Sequence, residues 1–150
     1  MYRTTLLAVH IASVAAWLGC NFTQLFLGPF FARRGGDAAV AWFEASARLA
    51  RRYYNVAGTV LAVSGVLLVR NAGYRWGAGF VAVGITVVVI GGVLGAVVFG
   101  PQGDRLAALQ REGTDTALVH RIARRYAFTA MVDTTLVLTA VVAMVHRWKA

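Results

Sequence analysis

Four apolar runs, at residues 4–28, 53–70, 77–99 and 126–146, dominate this 150-residue chain. A helix crosses a hydrocarbon core with about 20 residues at ~1.5 Å rise each. Lipid offers the backbone no hydrogen-bond partners, so each run must satisfy its own amides as a helix. The run at 53–70 is the shortest, but its flanking Tyr53, Tyr54 and Arg70 reach the headgroups. With 59% hydrophobic and only 14% charged residues, the chain is too apolar for an ordinary soluble domain.

The runs are punctuated twice in the same way. Gly28-Pro29 closes one and Gly100-Pro101 another; Ala50-Arg51-Arg52-Tyr53 opens one and Ala123-Arg124-Arg125-Tyr126 another, at offsets of 72 and 73 residues. Such self-similarity is the mark of an internal repeat. The expected fold is an all-α integral membrane four-helix bundle, one domain over 1–150. It would be built from two duplicated two-span hairpins, about 1–72 and 73–150, with short amphipathic cytoplasmic helices.

The net charge of +9 does not point to nucleic acid, because the cations sit at span ends rather than on one soluble face. Ten lie between runs one and two or between runs three and four: Arg33, Arg34, Arg48, Arg51, Arg52, Arg105, Arg111, Arg121, Arg124 and Arg125. Five lie on the other side: Arg3, Arg70, Arg75, Arg147 and Lys149. The excess places the two longer loops in the cytoplasm and both termini outside a bacterial inner membrane. Tyr2, Tyr74, Trp76 and Trp148 would form the outer aromatic belt. Phe30, Tyr53, Tyr54, Phe99 and Tyr126 would form the inner one. The bilayer is the expected partner, and the basic loops add attraction to anionic lipids.

The loops carry helical signals of their own. Val40, Phe43, Ala47 and Ala50 recur on one face, and Glu44 precedes Arg48 by four residues. A surface helix is expected there, with Trp42 and Phe43 dipping into the headgroups. Its counterpart carries Leu106 and Leu109, breaks at Gly113 and resumes at Thr116 as N-cap. The single cysteine excludes an internal disulfide. Trp17-Leu18-Gly19-Cys20 resembles a lipoprotein cleavage box, but the apolar run continues through Phe31, too far for a signal core, so the first span is expected to stay uncleaved.

The third run holds a seam of small residues, Gly84, Gly91, Gly92, Gly95 and Ala96, which lets helices approach closely. Through Gly84, Gly91 and Gly95 it would pack the bundle itself, or a second copy or membrane-complex partner.

Polar residues inside the runs carry what chemistry there is. His10, Ser13, Trp17, Asn21 and Gln24 form one stripe on the first helix. Asp133 is the one carboxylate within a run, and intramembrane ionisable groups are functional suspects by default. Counting from the nearest run ends, Asp133 and Asn21 lie ~10 Å inside the basic face and His10 ~10 Å inside the other. A His10–Asp133 dyad is therefore not expected. The layer of Asn21, Gln24, Asn55, Thr59, Thr129 and Asp133 has two readings: a proton, ion or headgroup site, or hydrogen-bond glue between helices, with Asp133 neutral or paired to Arg51, Arg52 or Arg125. His10 also has two: a plain interhelical hydrogen bond, or an axial ligand to haem iron or a ligand to copper, with Met144 or His146 as the second donor.

Residues 7–19, LAVHIASVAAWLG, resemble the first span of the bacterial superfamily of CopD-like copper-resistance proteins and HemJ-type protoporphyrinogen oxidases. Residues 52–69, RYYNVAGTVLAVSGVLLV, and 130–149, AMVDTTLVLTAVVAMVHRWK, resemble an uncharacterised bacterial membrane family, the domain of unknown function numbered 2269. The oxidase resemblance implies haem b at His10; the CopD one implies copper handling, which His10, Met144 and His146 would serve. The third run has no histidine, and Arg70 and Arg75 stand where those oxidases place an exit lysine. The expected function is a small membrane subunit or scaffold rather than an enzyme. The alternatives are a haem b- or copper-binding protein using His10 and a proton-coupled carrier using Asp133.

Overall fold

The computed structural model describes residues 1–113 and 116–146. The expected outer-belt Trp148, the basic exit at Arg147 and Lys149, and the side-chain cap of Thr116 lie outside the described residues. The chain forms α1 (Tyr2–Arg34), α2 (Gly36–Arg48), a π-helical turn at Leu49–Tyr53, α3 (Tyr54–Ala72), α4 (Gly79–Val93), a second π turn at Leu94–Phe99, α5 (Gly100–Arg111) and α6 (Thr116–Val145). Because the π turns join helices without a break, these elements make four rods: Tyr2–Arg34, Gly36–Ala72, Gly79–Arg111 and α6. All four are long and apolar enough to cross a membrane.

Glycines with positive φ end the rods. Gly35 (φ 66°) and Gly36 (φ 50°) turn the chain between α1 and α2, and Gly73 (φ 69°) caps α3 with its N–H on the Val69 carbonyl. Only glycine enters this left-handed region without strain. Gly113 (φ 63°) marks the break expected there. Gly28-Pro29, expected to close the first span, does not end the helix; Pro29 lies inside α1, which continues to Arg34. A proline removes one intrahelical hydrogen bond, and packing holds the helix through it: Phe31, just beyond, stacks on Trp42 with ring centroids 5.0 Å apart and planes 11° apart.

The loop helices exist, but not as isolated surface segments. With 33 residues, α1 is about 50 Å long, well beyond a ~30 Å hydrocarbon core. At the basic end α2 and α5 pack on each other, so closely that a Cβ at Gly103 would stand 2.9 Å from the Ala47 Cβ and 3.1 Å from the Phe43 carbonyl oxygen. Val40, Phe43, Leu106, Ala107 and Val119 form a core there. Phe43 is interior rather than in the headgroups. Glu44 pairs with Arg111 on α5, not with Arg48 on its own helix. Both side chains are about half exposed, so Glu44→Gln is expected to change stability by less than about 0.5 kcal/mol in a denaturant titration.

Two further core layers follow along the bundle. Trp17, Leu61, Val87, Val137 and Ala140 form the middle one, and Val69, Ala78, Phe80, Val81 and Ala143 the layer at the opposite end. The surface of the rods inverts the soluble pattern. Ile11, Phe26, Val56, Val63, Val89, Val97 and Phe128 are exposed, while Ser13, Asn21, Ser64, Asp133 and Thr134 are buried. An apolar exterior with polar side chains buried among the helices suits lipid rather than water. The chain is a multi-pass, four-helix membrane protein.

Candidate functional site

Among the described residues, a larger and a smaller cavity both border Trp17. The larger, about 470 Å³, opens between α1, α3, α4 and α6. Its walls are almost wholly apolar, with Leu61, Val69, Phe80, Val87 and Val137 among them, and Trp17 is part of its lining. Arg3, His10, Tyr74 and Trp76 supply the polar groups, and Met144 lines it from α6.

His10 owes its setting to α3. Gly65 leaves room for the ring: a Cβ there would stand 3.1 Å from His10 Cε1. The adjacent Ser64 hydroxyl lies 3.1 Å from His10 Nδ1 and 2.6 Å from the Val60 carbonyl oxygen. A hydroxyl has one proton, and the shorter contact takes it. Ser64 therefore donates to Val60 and accepts from His10 Nδ1–H, which in the neutral ring leaves the lone pair on Nε2. The Leu61 backbone also hydrogen-bonds the ring. Such orientation by a partner on the other ring nitrogen is typical of histidines that ligate metals.

Met144 is positioned by Gly84, where a Cβ would stand 2.5 Å from the Met144 Cε. His10 and Met144 thus share one cavity. His146 does not join them: it is exposed and its Nδ1 lies 3.1 Å from the Val142 carbonyl oxygen of its own helix.

The second assembly centres on Asp133, only 3% exposed. Its Oδ2 accepts from Asn21 Nδ2 at 2.9 Å and from Trp17 Nε1 at 3.3 Å. Asn21 Oδ1 accepts from the Tyr54 hydroxyl at 2.5 Å, and that hydroxyl accepts from Gln24 Nε2 at 2.9 Å. Gln24 Nε2 also lies 3.8 Å from Cys20 Sγ. The chain of bonds ties α1, α3 and α6 together. Among the described residues no arginine pairs with Asp133; Arg51 binds Asp104 instead, at 2.6 Å.

Comparison with family models, curated proteins and solved structures finds no match to this chain. Its function has to be read from its own geometry.

Of the expected polar layer, the bundle brings together Asn21, Gln24 and Asp133. Asn55 donates to the Arg51 carbonyl of its own helix, Thr129 to that of Arg125, and Thr59 is exposed. His10 and Asp133 have separate partners, as the depth estimate requires. Tyr54, read as part of an aromatic belt, instead turns its hydroxyl into the network. One signal marks it: the first Arg-Arg-Tyr is followed by a second tyrosine, the other by Ala127. No group of three or more metal-ligating His, Cys, Asp or Glu occurs among the described residues.

Proposed function

We propose that this chain is a membrane-embedded binding protein, with the large cavity as the site for an apolar ligand and His10 as its chief polar contact. The cavity itself carries the reading. At about 470 Å³ it falls in the range of small-molecule sites, and few polar groups converge on its apolar wall. The excess of basic residues at the other end favours an orientation in which this cavity lies toward the outside of the cell.

The donor set favours one ligand class further. The His10 imidazole on α1 and the Met144 thioether on α6 form a donor pair that haem iron accepts. The same pair would take copper(I), but the volume of the cavity favours a large planar group. When bound, haem b would supply one-electron chemistry; His10 would hold it, Ser64 would orient His10, and the apolar wall would exclude water.

The test is the full chain purified in detergent and titrated with haem b, followed by absorbance and by fluorescence of Trp17 and Trp76. Saturable binding with a shifted Soret band is expected, weakened at least tenfold in His10→Ala. Ser64→Ala should weaken it by about tenfold, the usual effect of losing an orienting partner. A protein that leaves the haem spectrum unchanged but binds an uncoloured apolar probe, with Trp17 quenched, overturns the haem assignment. One that binds neither overturns the reading.

A further inference from the structure

The second cavity, about 30 Å³, lies directly against Asp133. We propose that it holds a water molecule which exchanges a proton with Asp133 from the basic end of the bundle, and that Trp17 seals this site from the large cavity. The inference is independent of what the large cavity binds.

Size and chemistry both fit water. The volume exceeds the ~10–15 Å³ that one water requires, and a buried water needs two to four polar partners. Asp133, Asn21, Gln24 and Tyr54 line the space from three helices. Asp133 Oδ2 is occupied by two donors, whereas Oδ1 accepts no hydrogen bond from the described residues. A carboxylate at this depth without a cation beside it is costly when charged, so a proton or a water must compensate it. Exchange is balanced at one atom: an O–H bond forms on Oδ1 as one breaks on the protonated water, and release reverses it.

The remaining lining points to the basic end. Ala50 and Phe99 come from the two π turns and Tyr126 from the part of α6 packed against the basic-end core. Single π turns recur at functional sites because they displace a helix from its regular register, and here both border one space. Among the described residues, the other titratable groups lining this cavity are Tyr54 on α3 and Tyr126 on α6, and Cys20 on α1 lies behind Gln24, 3.8 Å from its Nε2. From α4, Gly91 lines the cavity, and a Cβ there would stand 3.3 Å from Asp133 Oδ1. Arg51, next to the lining residue Ala50, is held by Asp104.

Trp17 lines both cavities. Its ring is gripped between Gly58 and Gly91, where added Cβ atoms would stand 3.1 Å and 2.5 Å from it. Its Nε1–H donates to Asp133. A wide apolar space therefore reaches this indole on one side, and a narrow one that touches Asp133 on the other.

The experiment uses the full chain in phosphatidylcholine–phosphatidylglycerol vesicles loaded with a pH-sensitive dye. After a pH step, wild type should equilibrate no faster than empty vesicles. Trp17→Ala should equilibrate at least tenfold faster, and Trp17→Ala with Asp133→Asn should return to the wild-type rate. A tight Trp17→Ala protein overturns the seal, and a leak that survives Asp133→Asn overturns the role of Asp133. Infrared spectroscopy of the unaltered chain gives a test that does not depend on the Trp17 variant folding. A carboxylic C=O band should grow on acidification, shift promptly in D2O and be missing from Asp133→Asn. A band that is absent, or that does not shift in D2O, overturns the proton site.

Discussion

Gly91→Ala will unfold more readily than the parent chain by about 1–3 kcal/mol, the usual cost of overpacking a filled core. Gly95→Ala will stay within about 0.5 kcal/mol of it or gain slightly from the better helix former. The two glycines form one GxxxG pair in sequence. Their surroundings differ completely. A Cβ at Gly91 would stand 2.5 Å from Trp17 Cζ2 and 2.9 Å from Cη2, whereas one at Gly95 meets nothing within 4 Å. Trp17 cannot give way, because Gly58 closes on its other edge and its Nε1 is held by Asp133. Unfolding in mixed micelles, followed by tryptophan fluorescence, should separate the variants. Equal destabilisation would mean that the seam is used as a whole, for instance against a second copy.

The same contrast shows how far the sequence could be read. Four spans were legible because lipid leaves an apolar run no alternative to a helix. The inner polar layer was legible in part. Depth counting placed Asn21, Gln24 and Asp133 at one level, and the bundle joins them. Counting alone could not turn Asn55, Thr59 and Thr129 inward, because depth fixes height along the axis and not rotation about it. Rotation follows from interhelical packing, which depends on where glycines admit large partners: Gly58 and Gly91 admit Trp17, Gly65 admits His10, and Gly84 admits Met144. Each pairing is long-range and leaves no periodic trace. The span ends were misread for a related reason. Gly28-Pro29 is a strong local stop signal, yet α1 runs on because Phe31 and the basic-end core hold it. Local propensity sets a preference of a few kcal/mol at most, and tertiary contacts override it.

Asp133→Ala is expected to destabilise the bundle by about 2–3 kcal/mol, and Asp133→Asn by about 1 kcal/mol or less. The carboxylate receives two hydrogen bonds from α1, and alanine leaves both the Trp17 and Asn21 donors buried without an acceptor. Each such orphan costs about 1–3 kcal/mol in a soluble protein. In membranes the average is nearer 0.6 kcal/mol, because the unfolded reference also finds partners. The expected value lies between these limits because both donors converge on one oxygen and Asn21 also holds Tyr54. Asparagine keeps an acceptor at the same place and preserves the α1–α6 tie. The pair of variants therefore separates two roles that one substitution would confuse. If Asp133 serves only as glue, the parent chain should show no carboxylic band that grows on acidification and shifts in D2O. If it also carries a proton, asparagine should retain nearly all the stability and abolish the exchange, so stability and proton handling part company at a single atom.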